Sequence, residues 1–189
     1  MRILITGMNG FAGSALSEFL LRQTHWTLIG VSSKTTGDRT SARVQWWQID
    51  LRDADAVRRL LRFERPDIIF HLAAQASIPQ SWDNPWETYQ VNIQGTLNLF
   101  EGIVKNKMTP RVIVISSNEV YGAPDSTSDV PFAESHPLKP NNPYAVSKVA
   151  QENVALQYRY SHGLDVVVVR PFNHIGPAQK PTYVLSGFA

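Results

Sequence analysis

Arg2-Ile3-Leu4-Ile5-Thr6-Gly7-Met8-Asn9-Gly10-Phe11-Ala12-Gly13 stands at the start of the chain and decides its fold. Ile3 to Thr6 are apolar or β-branched without alternation, the mark of a strand buried on both faces. Gly7, Gly10 and Gly13 follow at a spacing of three, and Leu16, Phe19 and Leu20 then form the apolar side of a helix over 11–22. A strand that passes through a glycine turn directly into a helix is the first half of a βαβ unit. Such glycines permit a tight turn and close approach of the backbone to a pyrophosphate. The N-terminus of the helix then offers free N–H groups and the positive end of its dipole to that anion.

The rest of the chain repeats this alternation. Strands are expected over 26–32, 44–49, 67–74, 111–116 and 164–170, and helices over 53–63, 85–105 and 143–160. The last helix is stopped near Gly163, where glycine can take the left-handed cap. Segment 125–140, rich in Pro, Ser and Asp, reads as a loop. Near-continuous apolar strands joined by helices imply a parallel sheet covered on both faces, and right-handed crossovers resolve it to a doubly wound α/β sheet. Ligands of such sheets bind beyond the carboxyl ends of the strands.

Composition narrows the classes of function. The 189 residues carry a net charge of only +2, which gives no support to a nucleic-acid partner. The one basic cluster, Arg58, Arg59, Arg62 and Arg65, falls on an amphipathic helix and reads as its solvated face. Without cysteine there is no disulfide framework and no thiolate metal site, and no metal is expected. No apolar run reaches the roughly 18 residues of a membrane span. The first strand leaves no room for a signal peptide, so a cytoplasmic protein is expected.

Chemistry clusters after the strands. Asp50 and Leu51, at the end of the third strand, are placed beside an adenine ring, with Asp50 as a helix cap the competing reading. The second strand ends in Ser32, Ser33 and Lys34, with Arg39 beyond and no acidic residue. Hydroxyls and cations there suit a ribose phosphate, so the cofactor is expected to be NADP or NAD, with NADP preferred. The alternative for Lys34 is a solvated loop residue. Tyr144 and Lys148 lie four apart on one helix face and follow Ser116-Ser117 at the end of the fifth strand. An ammonium favours the phenolate of a neighbouring tyrosine and can also hold ribose hydroxyls. With a serine on the same substrate oxygen, this is a device for moving a proton at a carbonyl oxygen while hydride moves at its carbon.

Thr6-Gly7-x-x-Gly10-x-x-Gly13, His71-Leu72-Ala73-Ala74, Ser117-Asn118-Glu119-Val120-Tyr121-Gly122 and Asn142-Pro143-Tyr144-x-x-x-Lys148 resemble, in order and spacing, the extended short-chain dehydrogenases. These are the nucleotide-sugar epimerases, dehydratases and reductases. The resemblance implies a Rossmann domain over 1–170 and the start of a substrate-binding region over 171–189, most of which would lie beyond this chain. It implies a cofactor site of Gly7, Asn9, Gly10, Phe11, Gly13, Ser32, Ser33, Lys34, Asp50, Leu51, Leu72, Ala73, Ala74, Tyr144, Lys148 and Pro171. Catalysis would fall to Ser117, Tyr144, Lys148 and Glu119, and substrate contacts to Ser117, Asn118 and Asn173.

The stretch Arg170 to Gln179 is similar to that of the GDP-6-deoxy-4-keto-mannose reductases. The expected activity is therefore reduction of the 4-keto group of a GDP-4-keto-6-deoxyhexose. The alternatives are a 4,6-dehydratase of GDP-mannose type, a 4-epimerase, or a non-catalytic dinucleotide-binding protein. Glu119 is the base at carbon 5 in dehydratases, whereas Asn118 departs from those that use an aspartic acid beside it. His174 reads as a loop-stabilising hydrogen bonder. The family also implies a homodimer through a four-helix bundle of segments 85–105 and 143–160, with Leu97, Leu99, Phe100, Val149 and Leu156 as candidate contacts, some of which must face the sheet instead.

Overall fold

The computed structural model describes residues 1–34, 41–124, 130–177 and 179. Six parallel strands form one sheet in the order β3-β2-β1-β4-β5-β6: β1 (Arg2–Thr6), β2 (Thr27–Ser32), β3 (Val44–Gln48), β4 (Ile68–His71), β5 (Arg111–Ile115) and β6 (Val166–Val169). Chain order reverses between β1 and β4, and the chemistry-bearing turns follow β1, β4 and β5 at that switch point. β1 begins one residue before its apolar run, at Arg2, whereas β4 stops at His71 and the rest of its run, Leu72 to Ala74, continues into the turn that builds the site.

Both faces are covered, which is why β1 does not alternate. Leu4 faces one core with Ile29, Ile69, Val112 and Val114, under α2 (Ala54–Glu64), α5 (Gly95–Lys105) and α6 (Pro143–His162). Ile3 and Ile5 face the other with Leu28 and Met8, under α1 (Phe11–Gln23). The buried stripe of α1 is Gly13, Ser17 and Leu20 with Leu16 beside it, so Phe19 points away and is 59% exposed, contrary to its expected place on the apolar side. Asp53 caps α2 by accepting from the Ala56 N–H at 2.9 Å, and the cap role open to Asp50 is therefore not taken. Gly163 ends α6 at φ 64, the left-handed stop that its sequence called for. Arg58, Arg59, Arg62 and Arg65 lie on the exposed face of α2, as read.

The expected helix over 85–105 is three pieces. A short helix α3 (Ile78–Asp83) precedes it, α4 (Pro85–Tyr89) begins it, and one π turn (Gln90–Gln94) joins α4 to α5. Buried Asn92, inside that turn, accepts from Gln75 N–H at 2.8 Å and donates to Gln75 O at 3.0 Å and Ser147 Oγ at 2.8 Å. A 3.6-residue repeat does not show a π turn, because apolar periodicity survives on either side of it.

Of the five candidate dimer contacts, Leu99 and Phe100 are wholly buried against the sheet, and Phe100 stacks on Tyr158 at 5.2 Å. Val149 and Leu156 are half-buried, and only Leu97 is exposed. Among the described residues no helix is long and apolar enough to cross a membrane.

Candidate active site

Gly7 has φ +70, and a Cβ there would stand 2.9 Å from both N and Cα of Ala73. The turn after β1 therefore lies directly against the turn after β4. Thr6 Oγ1 reinforces the contact by accepting from Ala73 N–H at 3.1 Å. A Cβ on Gly13 would overlap Gly7 O and stand 2.7 Å from Met8 Cα, whereas one on Gly10 meets only Gly7 O at 3.1 Å. Gly10 is the N-cap of α1 and supplies no side chain to cap it. The first-turn N–H groups thus face outward at the positive end of a 13-residue helix. A glycine-walled cradle at such an end fits the pyrophosphate of a dinucleotide. Asn9 and Phe11 flank the cap, and Leu72, Ala73 and Ala74 form the opposite wall; these three and Phe11 are partly buried, and Asn9 is exposed.

At the end of β2, Ser32 is buried and its Oγ accepts from Lys34 N–H at 3.0 Å, while Ser33 and Lys34 are exposed. Arg39 lies outside the described residues. Asp50 is clamped by Arg52, whose Nη2 donates to Oδ2 at 2.5 Å, and that hydrogen bond holds its carboxyl below the ordinary range. Leu51 is buried and packs on Gly95 of α5. Its side chain is thus a core group as well as a candidate neighbour of an adenine.

Two ties join the exit of β5 to α6. Lys148 Nζ donates to Ile115 O at 2.8 Å, two residues before Ser117. Asn142, the N-cap of α6 two residues before Tyr144, donates from Nδ2 to Glu119 Oε2 at 3.3 Å. Ser117, Glu119, Tyr144 and Lys148 consequently share one end of the sheet. Ser117 Oγ accepts from Glu119 N–H at 3.2 Å and keeps its own O–H for a further partner. Lys148 Nζ stands 5.8 Å from the centroid of the Tyr144 ring, and both residues are over nine-tenths buried. Burial, partly offset by the Glu152 carboxylate, lowers Lys148 to about 7. A hydroxyl, a phenol and an amine thus lie together at the carboxyl end of the sheet.

The segment after β6 closes the site from the other side. Asn118 N–H donates to Pro171 O at 3.0 Å, which fixes the Pro171 backbone beside the β5 exit. Asn173 is exposed. His174 stacks on Phe11 at 5.8 Å and 11° and shares a hydrogen bond of 2.9 Å with Phe172 O, in keeping with the loop-stabilising role read for it.

Several residues were not singled out as site residues by sequence reasoning. His71 was noticed only as the first letter of a motif, and Asn92, Thr96 and Gln151 not at all. Glu152, 2% exposed, is gripped by Arg170 at 2.9 and 2.7 Å, and Arg170 also donates to Tyr121 Oη at 3.0 Å. Neither Thr96 nor Gln151 carries a local signal, since Gln151 sits among Ser147, Lys148 and Glu152 on the buried face of α6 and nothing in the sequence joins it to Thr96. Among the described residues, Gln75 Oε1, Ser116 Oγ and Gln179 Oε1 are buried and have no hydrogen-bond partner.

Comparison with known proteins agrees with this geometry. The chain is 36% identical over all 189 residues to the GDP-6-deoxy-D-mannose reductase of Pseudomonas aeruginosa and spans 57% of that relative's length. Its fold matches a dTDP-glucose 4,6-dehydratase of Streptomyces venezuelae solved with NAD and TYD bound, with a TM-score of 0.90, 34% identity, and coverage of 100% of this chain and 61% of that one. It also matches RMD from Pseudomonas aeruginosa complexed with NADPH, with a TM-score of 0.82, 34% identity, and coverage of 98% of this chain and 59% of that one. Residues 3–189 match the model of one family across the glycine cradle, the β5 exit and the Tyr144–Lys148 helix alike. The chain belongs to the NAD dependent epimerase/dehydratase family.

Proposed function

We propose that this chain is the dinucleotide-binding part, residues 1–170, and the beginning of the substrate region, 171–189, of a cytoplasmic enzyme that reduces the 4-keto group of a GDP-4-keto-6-deoxyhexose. The observation that carries the reading is similarity to a GDP-6-deoxy-D-mannose reductase, 36% identical over all 189 residues, in a chain whose site has Ser117, Tyr144 and Lys148. Gly7, Gly10 and Gly13 would hold the pyrophosphate, and Ser32, Ser33 and Lys34 a ribose phosphate, which favours NADP over NAD. Pro171 would face the nicotinamide.

The bound dinucleotide supplies the hydride that arrives at carbon 4. Tyr144 donates its phenolic proton to the carbonyl oxygen, and Ser117 donates a hydrogen bond to the same oxygen. Lys148, through the one N–H that its bonds to Ile115 O and Gln151 Oε1 leave over, would hold a ribose hydroxyl, and its charge would stabilise the phenolate left behind. Asn118 and Asn173 contact the sugar. Outward-facing Leu97 on α5 and Val146 and Tyr160 on α6 supply an apolar surface for the proposed four-helix homodimer.

A GDP-mannose 4,6-dehydratase is the second reading, and Glu119 is the observation that favours it. Against it, the Glu119 carboxylate takes a hydrogen bond from the helix cap Asn142. The test uses the longer enzyme carrying this half, with NADPH and GDP-4-keto-6-deoxymannose. One NADPH consumed per sugar reduced, with activity largely kept in Glu119→Gln, is the expected result. Conversion of GDP-mannose to its 4-keto-6-deoxy product without net cofactor use would replace the reductase by the dehydratase.

A further inference from the structure

An unbroken run of buried hydrogen bonds crosses the interior from Lys148 to the glycine turn. Lys148 Nζ donates to Gln151 Oε1 at 2.9 Å, and Gln151 Nε2 donates to Thr96 Oγ1 at 2.8 Å. Thr96 Oγ1 lies 2.8 Å from His71 Nε2, and His71 Nδ1 lies 2.8 Å from Thr6 Oγ1. Thr6 Oγ1 also receives the Ala73 N–H. Thr6, His71, Thr96 and Gln151 are all 1% exposed or less.

The direction of every bond follows from counting hydrogens. Thr96 has one hydroxyl hydrogen and gives it to Asn92 O at 2.6 Å. It can therefore only accept from His71, so Nε2 carries the ring hydrogen. Burial, with a smaller contribution from the Lys148 charge, lowers His71 to about 3, so the ring is neutral and Nδ1 is an acceptor. Thr6 then donates to Nδ1 and accepts from Ala73. Every bond on this path thus has one direction, and the amide of Gln151 does not take up or release protons near neutral pH.

We propose that Gln151, held by Thr96 and His71, is a positioning residue that anchors two N–H bonds of Lys148 Nζ, together with Ile115 O, and leaves the third position on that nitrogen as its one proton-exchanging valence. An amine has two hydrogens and an ammonium three. The two inner bonds are thus kept in both states, and the proton comes and goes only on the side shared with Tyr144. Lys148 changes charge without moving. The inference rests on the reading of Lys148 as an active-site residue. The ionisable groups around Lys148 are Tyr144 and Glu152 on its own helix, Arg170 paired to Glu152, and His71 from β4.

The experiment follows the 13Cε signal of Lys148 against pH in cofactor-free protein, assigned by its loss in Lys148→Arg. Gln151→Met keeps the length of the side chain and removes its acceptor, so the midpoint should fall by about one pH unit or more. Gln151→Glu restores an acceptor with charge and should raise it by about as much. A purely structural role would lower the thermal midpoint of Gln151→Met and leave its Lys148 titration within about 0.3 unit of wild type, which overturns the proposal. If Gln151→Met does not fold, Gln151→Leu, which also removes the acceptor without adding charge, takes its place and is read in the same way. Independently, 15N signals of His71 in the wild type should show a neutral Nε2–H ring that does not titrate between pH 5 and 8, and the opposite tautomer would break the chain of directions. NADPH and NADH binding is measured separately. Failure to bind either cofactor would remove the proposed function while leaving the titration result standing.

Discussion

Gly13→Ala tests whether the glycine cradle is the dinucleotide site. The new Cβ would overlap Gly7 O and lie 2.7 Å from Met8 Cα, about 1 Å inside ordinary carbon–carbon contact. The turn cannot retreat, because Gly7 N–H is bonded to Val31 O at 2.8 Å and Gly7 O accepts from Gly10 N–H at 2.9 Å. Behind Gly7 stands the Ala73 backbone. Overpacking of this kind costs about 1–3 kcal/mol, of which alanine's better helix propensity returns at most about 1. A net loss of about 1–2 kcal/mol lowers the unfolding midpoint by about 2–8 °C at this chain length. The comparison is Gly163→Ala, where nothing lies within 4 Å but φ is +64, a strain of similar size far from the cradle. Differential scanning fluorimetry should find both variants destabilised. Calorimetric titration with NADPH and NADH should find affinity lost, by tenfold or more, in Gly13→Ala alone. Equal affinities in the two variants would refute the argument that this turn seats the pyrophosphate.

Tyr144→Phe should leave the fold and dinucleotide affinity intact and reduce turnover by about 10²–10⁴, read in the longer enzyme by NADPH oxidation; a smaller loss would remove Tyr144 as the proton donor. His71 is held down near 3 and binds a proton in the unfolded chain from about 6.5 downward, so stability should fall as pH drops through that window, by about 1.4 kcal/mol per unit. Urea unfolding of wild type and His71→Asn between pH 4.5 and 6.5 should show this slope in the wild type only. Lys148 acts in the same direction at higher pH, so stability should rise between about 7 and 10.5. Arg170→Met leaves the Glu152 carboxylate buried without its partner and should cost about 3–5 kcal/mol by chemical denaturation, against about 0–1 for disrupting the exposed Arg58–Asp55 pair.

Fold and cradle were legible because each has a local signature. Six apolar runs gave six strands, and the doubled burial of β1 follows directly from its lack of alternation. The Tyr144–Lys148 spacing was visible for the same reason, since four residues make one helical turn. What escaped were groups joined only by the fold. Gln151 and Thr96 are 55 residues apart, and each reads as an ordinary polar residue on its helix. His71 was overlooked because a single histidine in an apolar strand has no partner in sequence. Phe19 was misplaced, and which of the candidate dimer contacts face the sheet was left open, because apolar periodicity marks a stripe without telling which neighbour covers it. Asp50 was the cap read from the sequence and Asp53 the first helical residue, and the structure moves the cap to Asp53 because the first helical turn begins at Ala54.

The single π turn at Gln90–Gln94 makes this region unusually sensitive to changes in length rather than identity. Removing one residue there would let α4 run into α5 as a continuous α-helix and swing Asn92 by about 100° around the axis. Gln75 would lose both of its backbone partners and Ser147 its link to them. Every side chain of α4 would also rotate relative to α5, taking Trp86 to a different quarter of the surface. A deletion here is therefore a change of phase, and no substitution elsewhere along the helix compensates for it.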